Sequence, residues 1–177
     1  FDSGGISIKP SRGMANMKAD MGGAAVALAS FLSLVEQKTT KNISLLLPIV
    51  ENMPSGEALK PGDVISSYSK KTIEIINTDA EGRLILADCL AYASDKKPNE
   101  IIDIATLTGA CSIALGDQAS AILGTNNAHI KRMIEIGEQT GERLWQLPLY
   151  EEYGQYLKSE VADIKNAHET RLAGTAT

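Results

Sequence analysis

"IEIINTDAEGRLILADCLAYA" (residues 73–93) joins an apolar run, Ile73 to Ile76, to a second one beginning at Leu84, with a charged turn between them. The first run reads as a short strand. Leu84, Ala87, Ala91 and their neighbours then start a helix. In a parallel α/β sheet, ligand sites lie at the C-terminal ends of the strands, and Asp79, Glu81 and Arg83 stand at that position. In extended chain, residues two apart point the same way, so these three side chains could project into one cleft. Two carboxylates that close repel unless a cation neutralises them or one takes up a proton. A metal would resolve the conflict. For this segment alone, a solvated turn whose acids favour the positive end of the following helix is the simpler account.

Outward from this unit, strand and helix alternate. Met21, Ala24, Ala25, Leu28, Phe31, Leu32 and Val35 fall at helical spacing, with Asp20 where an N-cap belongs. "NISLLLPIVE" (42–51) and "EIIDIATLTGA" (100–110) are nearly continuous apolar runs, as expected of strands buried on both faces. "NMPSGEALKPGD" (52–63) is a long loop. "VISSY" and "TIEII" flank Ser69-Lys70-Lys71 as a hairpin or two short strands. "SAILGTN" (120–126) suggests a further strand, Ile130 to Gly137 a third helix, and Tyr150 to Leu157 a fourth. The expected architecture is α/β, a mostly parallel (mixed) central sheet flanked by helices on both faces.

Composition sets the outer limits. A chain of 177 residues can bury one sizeable core as a single domain. Its hydrophobic share of 44% and charged share of 22% are those of an ordinary globular protein. A net charge of -5 argues against a nucleic-acid partner, which needs clustered basic surface. No signal-peptide pattern opens the chain and no apolar stretch reaches bilayer length, so a cytoplasmic protein without a membrane partner is expected. Cys89 and Cys111 lie in apolar surroundings and read as two buried thiols. Phe1 is not an initiator Met, and "RLAGTAT" stops without a terminating signal. Both ends therefore read as cut from a longer protein.

Four further features bear on chemistry. Gly22-Gly23 each cost about 1 kcal/mol inside a helix relative to Ala, which a close approach by other backbone or a ligand would justify. Asp2 precedes Ser3-Gly4-Gly5, a turn that can bring backbone close to a bound group. Lys9, by itself, reads as a solvated cation. The two histidines, His129 and His168, form no metal-binding pair, so any metal here would be held by oxygens. That suits Mg, Mn or Ca, and also Zn where carboxylates pair with a further donor.

"FDSGGISIK" (1–9), "MKADMGGAA" (17–25), "NTDAEGRL" (77–84) and "ATLTGA" (105–110) together resemble the leucyl aminopeptidase (cytosol aminopeptidase) family, in the family's order and from end to end of the chain. The resemblance implies an aminopeptidase-like catalytic domain over 1–177 with a centre of two divalent ions, zinc or manganese, with magnesium possible. Asp2 and Glu81 would bridge both ions, Asp79 would complete one and Asp20 the other. Lys9 would polarise the scissile carbonyl of a peptide with a free N-terminus, and Arg83 would hold a bicarbonate that shuttles the proton. Met17, Asn77, Thr106, Leu107 and Gly109 would line the substrate pocket, in what is typically a homo-hexamer. The resemblance also marks what the chain lacks: the family's N-terminal domain, the segment after "GTAT", and a metal-binding Lys in a Gly-Lys-Gly string five residues before Asp2.

Other readings keep their place at this level: an inactive fragment, a non-catalytic scaffold, or a DNA-binding regulator of the same family. A Mg-dependent phosphohydrolase with acids at strand ends is a further one, although a Gly-rich phosphate loop is absent.

Overall fold

The computed structural model describes residues 1–168, 170, 174 and 176. The chain divides into two compact units, one built from Phe1–Leu107 with Ser159–Ala167 and the other from Thr108–Lys158 with His168–Thr177.

The first unit opens with a short kinked helix α1 (Ser11–Met14) and a 3₁₀ segment (Ala15–Ala19), followed by α2 (Gly22–Glu36). Helix α2 starts where the apolar spacing places it, but Asp20 is not its cap. Met21 occupies that position without a side-chain hydrogen bond, and Asp20 ends the preceding 3₁₀ turn by donating its backbone N–H to the Met17 carbonyl. The expected hairpin forms: β1 (Val64–Ser66) and β2 (Thr72–Glu74) pair antiparallel, Ile65 opposite Ile73. Strand β2 also pairs parallel with β5 (Ile164–Lys165), giving a mixed sheet of order β1-β2-β5. Helix α3 (Gly82–Asp95) follows the charged turn.

The second unit holds α4 (Ala110–Leu115), β3 (Ser120–Ile122), α5 (Asn127–Thr140), β4 (Leu144–Gln146) and a 3₁₀ segment (Glu151–Leu157). Strands β3 and β4 pair in parallel. Helix α5 is capped at both ends as its sequence asks. The Asn126 side-chain Oδ1 accepts from the Ala128 and His129 N–H groups, and Gly141 adopts the left-handed conformation.

Three expectations fail here. The runs 42–51 and 100–110 form no ladder among the described residues, except that Asn52, just past the first, makes an isolated parallel bridge with Asp2. A strand exists only when a partner accepts its hydrogen bonds, and apolar composition cannot supply one. The sizeable core is also absent among the described residues: Ile73, Ile75 and Ala167 are the buried hydrophobics of the first unit and Ile130 that of the second. Val26, Leu28, Leu32 and Val35 of α2 remain exposed. Finally, Ser11–Glu36, taken as one helical run of 26 residues, is long and apolar enough by composition to cross a membrane. It is not one rod, since Arg12 and Gly13 leave helical geometry and a 3₁₀ turn follows. At ~1.5 Å per residue, α2 alone rises about 22 Å, short of the ~30 Å hydrocarbon core. Cys89 and Cys111 are free, as expected, but half-buried.

Candidate metal and catalytic site

The site is built in the first unit on two tight turns that lock into each other. Gly4 and Gly5 both have positive φ, +88° and +64°. A Cβ on Gly4 would stand 2.5 Å from the Ser7 carbonyl oxygen and 2.9 Å from Asp79 Oδ1, so only glycine lets the two turns approach. Thr78, buried, stitches them together. Its hydroxyl donates to the Gly4 carbonyl (2.6 Å) and accepts from the Ser7 N–H (2.8 Å), and its own N–H donates to Ser7 Oγ (3.1 Å). The result places Asp2 and Lys9 beside Asp79 and Glu81, seventy or more residues away in the chain.

Lys9 Nζ lies 2.7 Å from Asp2 Oδ2 and forms a second ion pair with Asp79 Oδ1. Asp2 Oδ1 accepts from the Gly4 N–H (2.9 Å) and from the Asn52 amide (2.9 Å). Burial by itself would push the Asp2 carboxyl up; Lys9, Gly4 and Asn52 outweigh it and hold the group below the ordinary carboxylate range. Lys9 is likewise raised, because Asp2 and Asp79 overcome the effect of its own burial.

The other acids go the opposite way. Burial raises Asp20, Asp79 and Glu81, and the remaining carboxylates of the cluster add to the effect. One carboxylate oxygen each of Asp2, Asp20 and Glu81 lies within 4.8 Å of the others. Asp79 Oδ1 is buried and accepts no well-aligned hydrogen bond; the Lys9 ion pair is its contact. Arg83, second residue of α3, is half-buried and forms no ion pair among the described residues. Burial lowers its pKa, with Glu81 opposing.

The alternating charges of the opening stretch therefore converge by a different route from the one expected. Glu81 has helical φ/ψ (−75°, −33°) and caps α3, so Asp79, Glu81 and Arg83 do not lie along one side of an extended strand. Asp79 is set by a turn in which its N–H donates to Asn77 Oδ1 (2.8 Å).

The proposed pocket residues fall around the same helix starts. Thr106 packs against Gly22, its Cγ2 3.1 Å from where a Cβ would stand, and Leu107 bears the same relation to Gly82. Gly23 faces the backbone itself: a Cβ there would meet the Ile104 carbonyl oxygen at 2.4 Å. This is the close approach that the costly Gly22-Gly23 pair suggested. Met17 supplies the carbonyl that closes the turn at Asp20, and Asn77 the oxygen that sets Asp79. Gly109 belongs to the second unit, where it caps α4.

Two asparagines at the site were missed. Asn166, 2% exposed, accepts from the Ile76 and Asn77 N–H groups and donates to the Asn77 and Ala80 carbonyls, so it holds the whole turn before Glu81. Asn52 donates to Asp2 Oδ1, to the Thr78 carbonyl and to Glu81 Oε2, each at 2.9 Å. Neither lies in a patterned motif, and the single signal in the sequence is position: Asn52 opens the long loop 52–63.

The chain that carries this cluster has relatives among known proteins. The family model for the catalytic domain of the cytosol aminopeptidase family matches residues 1–177, and the chain belongs to that family. It is 51% identical over 177 residues to a probable cytosol aminopeptidase of Geobacter sulfurreducens, covering all of this chain and 36% of that protein. With one from Hydrogenovibrio crunogenus the identity is 53% over 178 residues, at the same coverage. The chain thus spans about a third of the length of these relatives. Among solved structures, the cytosol aminopeptidase of Coxiella burnetii superposes with a TM-score of 0.95 at 46% identity, over 99% of this chain and 38% of that one. The leucine aminopeptidase of Caenorhabditis elegans gives 0.93 at 41%, over 96% and 35%.

Proposed function

We propose that this chain carries the metal-binding part of a metal-dependent aminopeptidase that releases N-terminal residues, leucine and others, from peptides. The observation that carries the reading is the convergence of Asp2, Asp20 and Glu81, with ligand oxygens within 4.8 Å of one another, beside an Asp79 oxygen left without a well-aligned hydrogen bond. Lys9 alone cannot neutralise four acids; burial raises the carboxyls of Asp20, Asp79 and Glu81, and the negative charge of the neighbouring acids adds to that rise. An all-oxygen donor set of this charge fits two divalent ions, Zn or Mn, or Mg. Asp2 and Glu81 would hold both ions, Asp79 one through its carboxylate and backbone carbonyl, and Asp20 the other. Such ions supply countercharge and a water acidic enough to ionise near neutral pH.

The chain's own groups would do the rest. Lys9, kept cationic by its two acids, would polarise the scissile carbonyl and meet the negative charge that develops on its oxygen. Arg83, half-buried and without an ion pair among the described residues, would hold bicarbonate, whose planar shape matches a guanidinium fork, and so place a proton carrier beside the leaving amine. Thr106, Leu107, Met17 and Asn77, gathered at the starts of α2 and α3, would form the wall against which the first side chain of the peptide lies.

In the longer protein, the apolar runs 42–51 and 100–107 would pair into a mostly parallel central sheet flanked by helices on both faces. Their lack of a ladder among the described residues, with Ile49 74% and Ile102 62% exposed, and the parallel β2-β5 and β3-β4 pairs support this. A cytoplasmic hexamer, with no nucleic-acid or membrane partner, completes the reading.

The test is hydrolysis of leucyl p-nitroanilide by the intact protein. Release that stops on chelation and returns with Mn²⁺ or Zn²⁺ is expected; release indifferent to chelator, or none with either metal, would refute it.

A further inference from the structure

We propose that Asn52 is a positioning residue of the metal centre, its side-chain amide setting the aim of the two carboxylates, Asp2 and Glu81, assigned to both ions. The inference rests on the dimetal reading above. The two acids come from turns with no covalent reason to stay in register, and Asn52 binds both. Its Nδ2 reaches Asp2 Oδ1 and Glu81 Oε2 at 2.9 Å each, and the Thr78 carbonyl between them at 2.9 Å.

The asparagine is itself anchored. Its N–H donates to the Phe1 carbonyl (3.1 Å), and its carbonyl accepts from the Ser3 N–H (2.9 Å) and the Ser3 hydroxyl (2.8 Å). Its Oδ1 lies 2.6 Å from where a Gly5 Cβ would stand, so a side chain at position 5 would displace the amide and glycine leaves it its place.

The chemistry of an amide suits the task. Lys9 grips Asp2 through Oδ2 and brings a charge that opposes a bound cation. Asn52 grips the other oxygen, Oδ1, and brings none. A neutral donor orients a carboxylate and favours its ionised form without competing for the ion it serves, as outer partners of metal ligands generally do. An Asp of the same shape would turn the donor into an acceptor and add a fifth acid.

The experiment is titration of the full-length metal-free protein with MnCl₂, followed by electron paramagnetic resonance, for wild type, Asn52→Ala, Asn52→Asp and Asn166→Ala. The last removes four hydrogen bonds to the 76–80 turn but none to an acid. Wild type is expected to bind two ions with an exchange-coupled signal. Asn52→Ala should weaken binding by about 10- to 100-fold and convert the signal to that of isolated ions, with the near-UV circular dichroism of the metal-free protein unchanged. Wild-type affinity and coupling in Asn52→Ala, or a loss no greater than in Asn166→Ala, would overturn the proposal. Should Asn52→Ala not fold, the isosteric Asn52→Asp decides: weakened, uncoupled Mn²⁺ supports the role and normal binding overturns it. A wild-type protein that binds no Mn²⁺ would instead reject the dimetal reading itself.

Discussion

Replacing Asp20 by Asn is expected to stabilise the chelator-treated protein while removing a ligand. The Asp20 oxygen lies within 4.8 Å of those of Asp2 and Glu81. At that distance a pair of unit charges repels by about 3.5 kcal/mol at an effective dielectric of ~20 and by about 0.9 kcal/mol in water. Asp20 as a residue is exposed, although neighbouring groups partly desolvate its carboxyl, so the lower figure applies to each neighbour, and attraction by Lys9 offsets part of the sum. A net relief of about 1 kcal/mol follows, or a rise of about 2–4 °C in melting temperature for a chain of this size. The pH dependence gives the sign. The Asp20 carboxyl is raised by burial and by Asp2, so its folded state favours the proton. That contribution to stability is complete below the ordinary carboxyl range and is lost as pH rises through the folded pKa. The advantage of Asp20→Asn should therefore vanish near pH 3 and be full at pH 7. Asp2 is held low, and its contribution is present above the ordinary value and lost as pH falls, so Asp2→Asn should destabilise at pH 7. Differential scanning calorimetry at the two pH values, with and without Mn²⁺, is the assay. A lower melting temperature for metal-free Asp20→Asn at pH 7, or an advantage undiminished at pH 3, would refute the reasoning.

Four other substitutions probe the same frame. Gly23→Ala puts a methyl 2.4 Å from the Ile104 oxygen and 2.5 Å from Ala105 Cα, and should destabilise by about 1–3 kcal/mol in thermal melts despite the better helix propensity. Gly56→Ala, with nothing within 4 Å, should stay within about 0.5 kcal/mol. Asn166→Ala leaves part-buried backbone groups of the 76–80 turn without their partner, and urea titration should show a loss of about 1–3 kcal/mol. Lys9→Gln should cut kcat on leucyl p-nitroanilide by about 10²–10³-fold, while metal analysis by mass spectrometry finds unchanged stoichiometry.

How much could be read in advance differs by element. Helices α2, α3 and α5 and the β1-β2 hairpin appear close to where periodicity, the Asn126 cap and the Ser69-Lys70-Lys71 turn indicate. The runs 42–51 and 100–110 look as strand-like as β2 yet form no ladder among the described residues, because a strand borrows its hydrogen bonds from elsewhere. Asp20 has a capping residue's chemistry one position too early, where a 3₁₀ turn intervenes. The acids and Lys9 were legible through four family motifs. Their chemistry one residue at a time pointed to turns and solvated charges.

Asn52 and Asn166 mark the boundary between the two levels. The sequence by itself determined whatever a segment can satisfy within a few residues, such as helix bonds, caps and tight turns, together with the types of group available for chemistry. Tertiary structure decided which groups meet. Asn52 reaches Asp2 and Glu81 across 50 and 29 residues, and Asn166 reaches Ile76 across 90. A bond of that span leaves no periodic trace in the chain, since its partners are chosen by the path of the backbone and not by spacing.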